Sequence, residues 1–198
     1  MADIPESLFQ NDLMDNEKIH WTGQPDPSII FSGSDIFMIP FSLLWGGFAL
    51  FWEGSVLGWI PYAGQRANHA PLFFALWSLP FVGMGLYMIF GRFFFKVWLK
   101  KRTYYAITNK RVLIITQGFR RQVQAVFFSQ IPVINKSVRG DGTGSLVFGN
   151  AGFGTNYANT GMDFLGSRYN RASPGFFDIH DADMVYQMAV GLQNQIGA

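Results

Sequence analysis

Hydrophobic and polar positions divide this chain into three regimes. Residues 1–34 are polar with poor periodicity, except Glu17–Pro25 (EKIHWTGQP), where Ile19 and Trp21 alternate with polar neighbours before a glycine and two prolines. That pattern predicts an acidic cytoplasmic leader over 1–34, mobile over residues 1–16, with a possible short strand and turn at Glu17–Pro25. Two long apolar stretches follow. Ile36 to Trp52 has no charge, and continuing past Glu53 to Trp59 gives 24 residues, enough to cross a bilayer with some tilt. Ala70 to Gly91 adds 22 uncharged residues. As helix these span about 33 Å, against a hydrocarbon core of about 30 Å. With the polar connection Ile60–His69, the pattern predicts a transmembrane hairpin over 35–102, with helices at about 36–59 and 70–95. From Thr103 the period shortens to two. TYYAIT, the turn Asn109-Lys110 and RVLIITQ form a candidate hairpin, and QVQAVFFSQ, Pro132–Arg139, Ser145–Phe148 and Phe176–Ile179 are further strand candidates. A helix from Ala182 to about Ile196, with Val185, Met188, Ala189, Leu192 and Ile196 on one face, is expected to close the sheet. Gly149–Pro174 has little periodicity and reads as an insertion, centred on 151–174.

Local signals refine the hairpin. Asp35 is the expected N-cap of the first helix, and Pro40 lies near its first turns, where a missing amide matters least. Gly46 and Gly47, with Gly83 and Gly85 after Pro80, offer small surfaces for close helix approach, within one chain or between protomers. Trp52, Trp59 and Tyr62 are placed for an aromatic belt.

Charge changes the picture more than composition does. The whole chain has a net charge of +2, but residues 1–35 carry seven acids and one base, while residues 36–102 carry six bases against Glu53. Of those bases only Arg66 lies in the connection; Arg92, Lys96, Lys100, Lys101 and Arg102 follow the second span. Positive charge stays cytoplasmic, so the connection faces away and both termini lie in the cytoplasm. Arg92, Lys96 and Lys100 recur at i, i+4, i+8 and form one helical stripe. That stripe reads as an anchoring device or as a lipid or partner site, each base near an anionic surface being worth about 1 kcal/mol. Together with Lys101, Arg102, Arg120 and Arg121 it makes the candidate headgroup or partner contacts. Glu53 lies about 25 Å along the helix from Ile36, near the far interface, and reads either as a solvated carboxylate or as a pore or interface acid.

Composition mostly excludes. The absence of cysteine removes disulfides, thiolate metal sites and a thiol nucleophile. His20, His69 and His180 are far apart, and Ser129 and Ser145 have no base nearby in sequence, so no catalytic, metal or cofactor site is expected. Gly140-Asp-Gly-Thr-Gly144 lacks the Lys-Ser/Thr pair and following helix of a phosphate loop and reads as a turn. The bases after residue 102 are scattered without a recognition motif, which argues against nucleic acid as a partner.

The residues Tyr105-Ala-Ile-Thr-Asn-Lys-Arg-Val-Leu-Ile114, Gly118, Phe128-Ser-Gln-Ile131, Gly140-Asp-Gly-Thr-Gly-Ser-Leu-Val-Phe-Gly149 and Phe177–Tyr186 come in an order that resembles the bacterial pleckstrin-homology-like family of membrane proteins. Glu17–Pro25 followed by two spans is similar to members whose spans precede the domain. The resemblance implies an α+β membrane protein of the bacterial cytoplasmic membrane. Its transmembrane hairpin would be followed, over 103–198, by a strongly bent antiparallel PH-like β-barrel closed by a C-terminal helix. It implies an interaction or assembly role without catalysis, the partners being the lipid bilayer and a protein or further copies of the chain. A pore built from several hairpins and an anionic-lipid sensor are the alternatives. With essentially no linker between the second span and Thr103, the domain is expected close to the headgroups.

Overall fold

The structure, a computed structural model, describes residues 7–33, 35–59, 72–150, 159–162 and 174–197. The chain forms two compact units, Met1–Ile30 with Lys96–Ala198, and Phe31–Phe95. Its class is α+β, with two apolar helices and antiparallel sheets.

In the first unit, α1 (Ser7–Gln10) precedes β1 (Ile19–Gly23), and β2 (Thr103–Thr108), β3 (Arg111–Gln117) and β4 (Arg121–Phe127) complete an antiparallel sheet in the order β1-β2-β3-β4. The predicted turn at Asn109-Lys110 is present, with Ile107 opposite Val112 and Tyr105 opposite Ile114. A second sheet holds β5 (Ile134–Val138), β6 (Gly144–Phe148) and β7 (Gly175–Ile179). Among the described residues the strands make two sheets, and no closed barrel of the kind expected from the sequence is formed. Between β4 and β5 the chain takes a 3-10 turn, Phe128–Gln130, and then Pro132. Proline has no N–H to offer a ladder, so the expected strand from Pro132 begins only at Ile134.

Strand alternation sorts the apolar residues onto two faces. Tyr105, Ile107, Val112 and Ile114 join Phe128, Leu146, Phe148, Phe176 and Ile179 in the main core, which Ala182, Val185 and Ala189 of the C-terminal helix close. On the opposite face Ala106, Leu113 and Ile115 are also buried, beneath Phe9 of α1. The segment expected to be a mobile leader is thus part of this unit: its apolar Leu8, Phe9 and Leu13 cover a sheet face that would otherwise meet water. The C-terminal helix runs Ala182–Gly197, with Val185 and Ala189 buried, Met188 and Leu192 half-buried, and Ile196 exposed past the edge of the core.

The second unit is the hairpin. Helix α2 spans Asp35–Val56, and α3 spans Leu72–Leu86, followed by a π-helical turn, Tyr87–Gly91, and α4, Arg92–Lys100, whose last five residues belong to the first unit. Both helical runs, Asp35–Val56 and Leu72–Lys100, are long and apolar enough to cross a membrane. Their buried seam is small and polar: Ser42, Gly46, Ala49 and Glu53 on α2 against Ala75, Ser78 and Gly85 on α3. A β-carbon on Gly85 would lie 2.8 Å from the Cα of Gly46, so this glycine pair meets within one chain and tolerates no side chain. Gly47 and Gly83 have nothing within 4 Å of such a carbon. Trp52 and Trp59 are exposed. Tyr62, the connection Ile60–His69 and most of the 151–174 insertion lie outside the described residues.

Candidate functional site

Arg92, Lys96 and Lys100 do share one helix face, and all three side chains are buried in the fold. Arg92 lies inside the hairpin unit. Its Nη1 donates to Asp35 Oδ1 at 2.5 Å, and its guanidinium carbon sits 4.3 Å from the Phe93 ring centroid. Its Nε and Nη2 are buried without a hydrogen-bond partner among the described residues. Asp35 is the first residue of α2, and its Oδ2 accepts the backbone N–H of Ser32 at 2.6 Å and the Ser32 hydroxyl at 2.9 Å. The same carboxylate thereby fixes the start of α2 and offsets the charge of Arg92.

Lys96 and Lys100 belong to the sheet unit and hold the segment that leaves β1. Lys96 Nζ donates to the Ile30 carbonyl at 2.8 Å, and Lys100 Nζ to the carbonyls of Asp26 and Ile29 at 3.0 and 2.6 Å. Lys100 Nζ also donates to Asp178 Oδ2 at 2.7 Å. Asp178 is the centre of this arrangement. It accepts further bonds from Arg139 Nη1 at 2.7 Å and Asn159 Nδ2 at 2.5 Å, and its carbonyl accepts the Asp26 N–H at 2.8 Å. Burial opposes its ionisation, but the hydrogen bonds from Lys100 and Arg139 prevail and hold its pKa below the ordinary 3.8. Its φ of 49° is left-handed, a conformation that aspartate tolerates better than most residues and that the surrounding bonds maintain.

A second buried carboxylate ties the leader to the sheet. Arg111 Nε and Nη2 each donate to Glu17 at 2.9 Å in a bidentate pair, and Thr108 Oγ1 adds a bond at 2.7 Å. Burial raises the Glu17 pKa, yet the Arg111 bond and the Met14 N–H outweigh it and leave the group below the ordinary 4.5. In the hairpin, Glu53 is buried and accepts a hydrogen bond from Ser78 Oγ, so it is a seam residue. Of its two sequence readings, the solvated carboxylate does not hold: α3 covers it.

The remaining sequence-predicted cations are outside the folded interior. Lys101, Arg102 and Arg120 are exposed, and Arg121 pairs with Asp12 on the surface. Arg102 lies over the Trp98 ring, 4.6 Å from its centroid. Among the described residues no group of three or more His, Asp or Glu is placed to hold a metal ion. Sequence reading missed Asp178, Glu17 and Asp35 as pairing residues. The available signal was the conjunction of isolated acids just outside apolar runs with bases in strand or span termini, which leaves each base an obvious need for a partner.

No family model matches the chain, and neither does any curated protein or solved structure.

Proposed function

We propose that this chain is a non-enzymatic membrane-anchored interaction or assembly module of the bacterial cytoplasmic membrane. Two spans anchor it, with their connection outward and both termini in the cytoplasm. A pleckstrin-homology-like domain at the membrane surface binds a protein partner or further copies of the chain. The observation that carries the anchor is the burial pattern of the hairpin: Phe37, Leu44, Phe48, Phe73 and Trp77 face outward, while Ser42, Glu53 and Ser78 face inward. In water such a surface is a large association or aggregation liability; in lipid it is the solvated face. Orientation rests on the bases after the second span. The domain reading is supported by the antiparallel pairing of the described strands and by the terminal helix that closes their common core, two of the features that the resemblance implies. Two residues separate Lys100 from Thr103, which leaves the domain little freedom to leave the surface.

Alkaline washing of membranes, followed by mass measurement of the chain purified in mild detergent, tests both halves. The anchor requires retention in the washed membranes. The module requires a mass above one copy, made up by a partner or by further copies. Release by alkali contradicts the anchor, and a retained single copy without partner contradicts the assembly role.

A further inference from the structure

The turn between β3 and β4, Gly118-Phe119-Arg120, presents Phe119 at 89% exposure, whereas the next most exposed large apolar side chain among the described residues of the sheet unit, Met184, stands at 48%. A single exposed apolar residue is ordinary. This one is held in particular company. Its ring lies 5.1 Å from that of Trp98, and Arg102 covers Trp98. The turn is fixed against the end of α4: Gln117 N–H donates to the Arg102 carbonyl at 2.7 Å, and Gly118 sits against Trp98 and Leu99. Three exposed cations are close to the aromatic pair in sequence, Lys101 and Arg102 just past Trp98 and Arg120 next to Phe119, and no acid pairs with them among the described residues. Asp12, the nearby acid, is taken by Arg121.

From this we infer that Phe119 and Trp98, with Lys101, Arg102 and Arg120, form an interfacial contact that seats the domain on an anionic lipid surface. The chemistry of the patch selects that occupant. An aromatic pair with one wet edge is suited to the headgroup boundary, where tryptophan is enriched, and the cations match anionic headgroups. Trp98 lies in the last turns of α4, two residues before Lys100 at its end. The sequence spread the candidate headgroup or partner contacts over seven bases. Burial removes Arg92, Lys96 and Lys100 from it, pairing removes Arg121, and Phe119 and Trp98 enter. The inference rests on the anchor reading, because it requires a bilayer beside the domain.

The absence of native cysteine permits a direct test on the full chain. Phe119→Cys carries an environment-sensitive fluorophore, Ser129→Cys at the far end of β4 serves as the control, and both are reconstituted in phosphatidylcholine vesicles with and without phosphatidylglycerol. Acrylamide quenching at position 119 should fall severalfold below the control, and further with phosphatidylglycerol. In the labelled Phe119→Cys chain, adding Lys101→Gln, Arg102→Gln and Arg120→Gln should shift the seated state toward water by on the order of a hundredfold, at about fivefold for each base. Equal quenching at both positions in a chain that co-floats with vesicles overturns the inference and leaves the anchor standing. Shielding that follows protein density instead of phosphatidylglycerol assigns the patch to a second copy of the chain and also overturns it. A chain that does not co-float overturns the anchor, and the inference with it.

Discussion

In the sheet unit Val112, Leu113, Ile115 and Phe176 are completely buried, whereas in the hairpin Phe37, Leu44 and Phe48 are exposed and Ser42, Glu53, Ser78 and Arg92 lie inside. One unit is built for water by hiding apolar area, and the other hides the groups that a hydrocarbon solvent would reject. The driving forces differ accordingly. The sheet core gains from removing apolar surface from water, whereas on the proposed anchor reading the hairpin has no such gain against lipid and relies on close backbone approach and satisfied polar groups. Gly46 against Gly85 and Ser78 on Glu53 are those two devices.

The largest effect should come from the sheet core. Phe176 stacks on Tyr105 with centroids 4.6 Å apart and meets Phe148 edge-on at 4.9 Å. Phe176→Ala should destabilise that unit by about 3–5 kcal/mol in urea unfolding followed by near-ultraviolet dichroism. Phe48→Ala, on the outer face of α2, should leave that transition in place. If the two substitutions cost the same, the contrast between the units fails.

A smaller effect should separate two neighbouring glycines of the hairpin. Gly85→Val drives a side chain into the Gly46 backbone and should cost about 1–3 kcal/mol, read as a lower melting midpoint in detergent. Gly83→Val, two residues away with open space around it, should move the midpoint far less. Equal shifts would mean that the glycine contact is not what holds the helices together.

The smallest is a pH effect confined to the sheet unit. Asp178 and Glu17 have pKa values depressed from the ordinary 3.8 and 4.5. Their contribution to stability is complete above those ordinary values, and it is lost as pH falls through the lower folded ones. Urea midpoints should therefore be level near neutrality and decline in acid below about pH 4. The Asp178→Asn chain, less stable throughout, should decline less steeply. An equally steep decline would remove Asp178 from the account.

Much of this could be read from the sequence where the signal is local. The two long apolar helices, the Asn109-Lys110 hairpin and the C-terminal helix follow from local runs and periods. The leader was misread because Leu8 and Phe9 sit in a helix of four residues, too short to display a period, and its purpose is set by a sheet formed elsewhere in the chain. The cation stripe was legible as a stripe but not in its direction. Arg92 finds Asp35 57 residues away and Lys100 finds Asp178 78 residues away, separations at which sequence pattern carries no pairing information. Phe119 did leave a trace: it is an aromatic residue in a turn, a position that polar residues and glycine usually fill.

The central claim, that the outward face of the hairpin is solvated by lipid, is tested most directly by a spin label at Leu44→Cys in the reconstituted chain. Collisions with molecular oxygen, which concentrates in hydrocarbon, should exceed those with a water-soluble nickel chelate at Leu44, and the order should reverse at Ser129→Cys. A label at Leu44 that meets the nickel chelate as readily as the one at Ser129 would contradict the account.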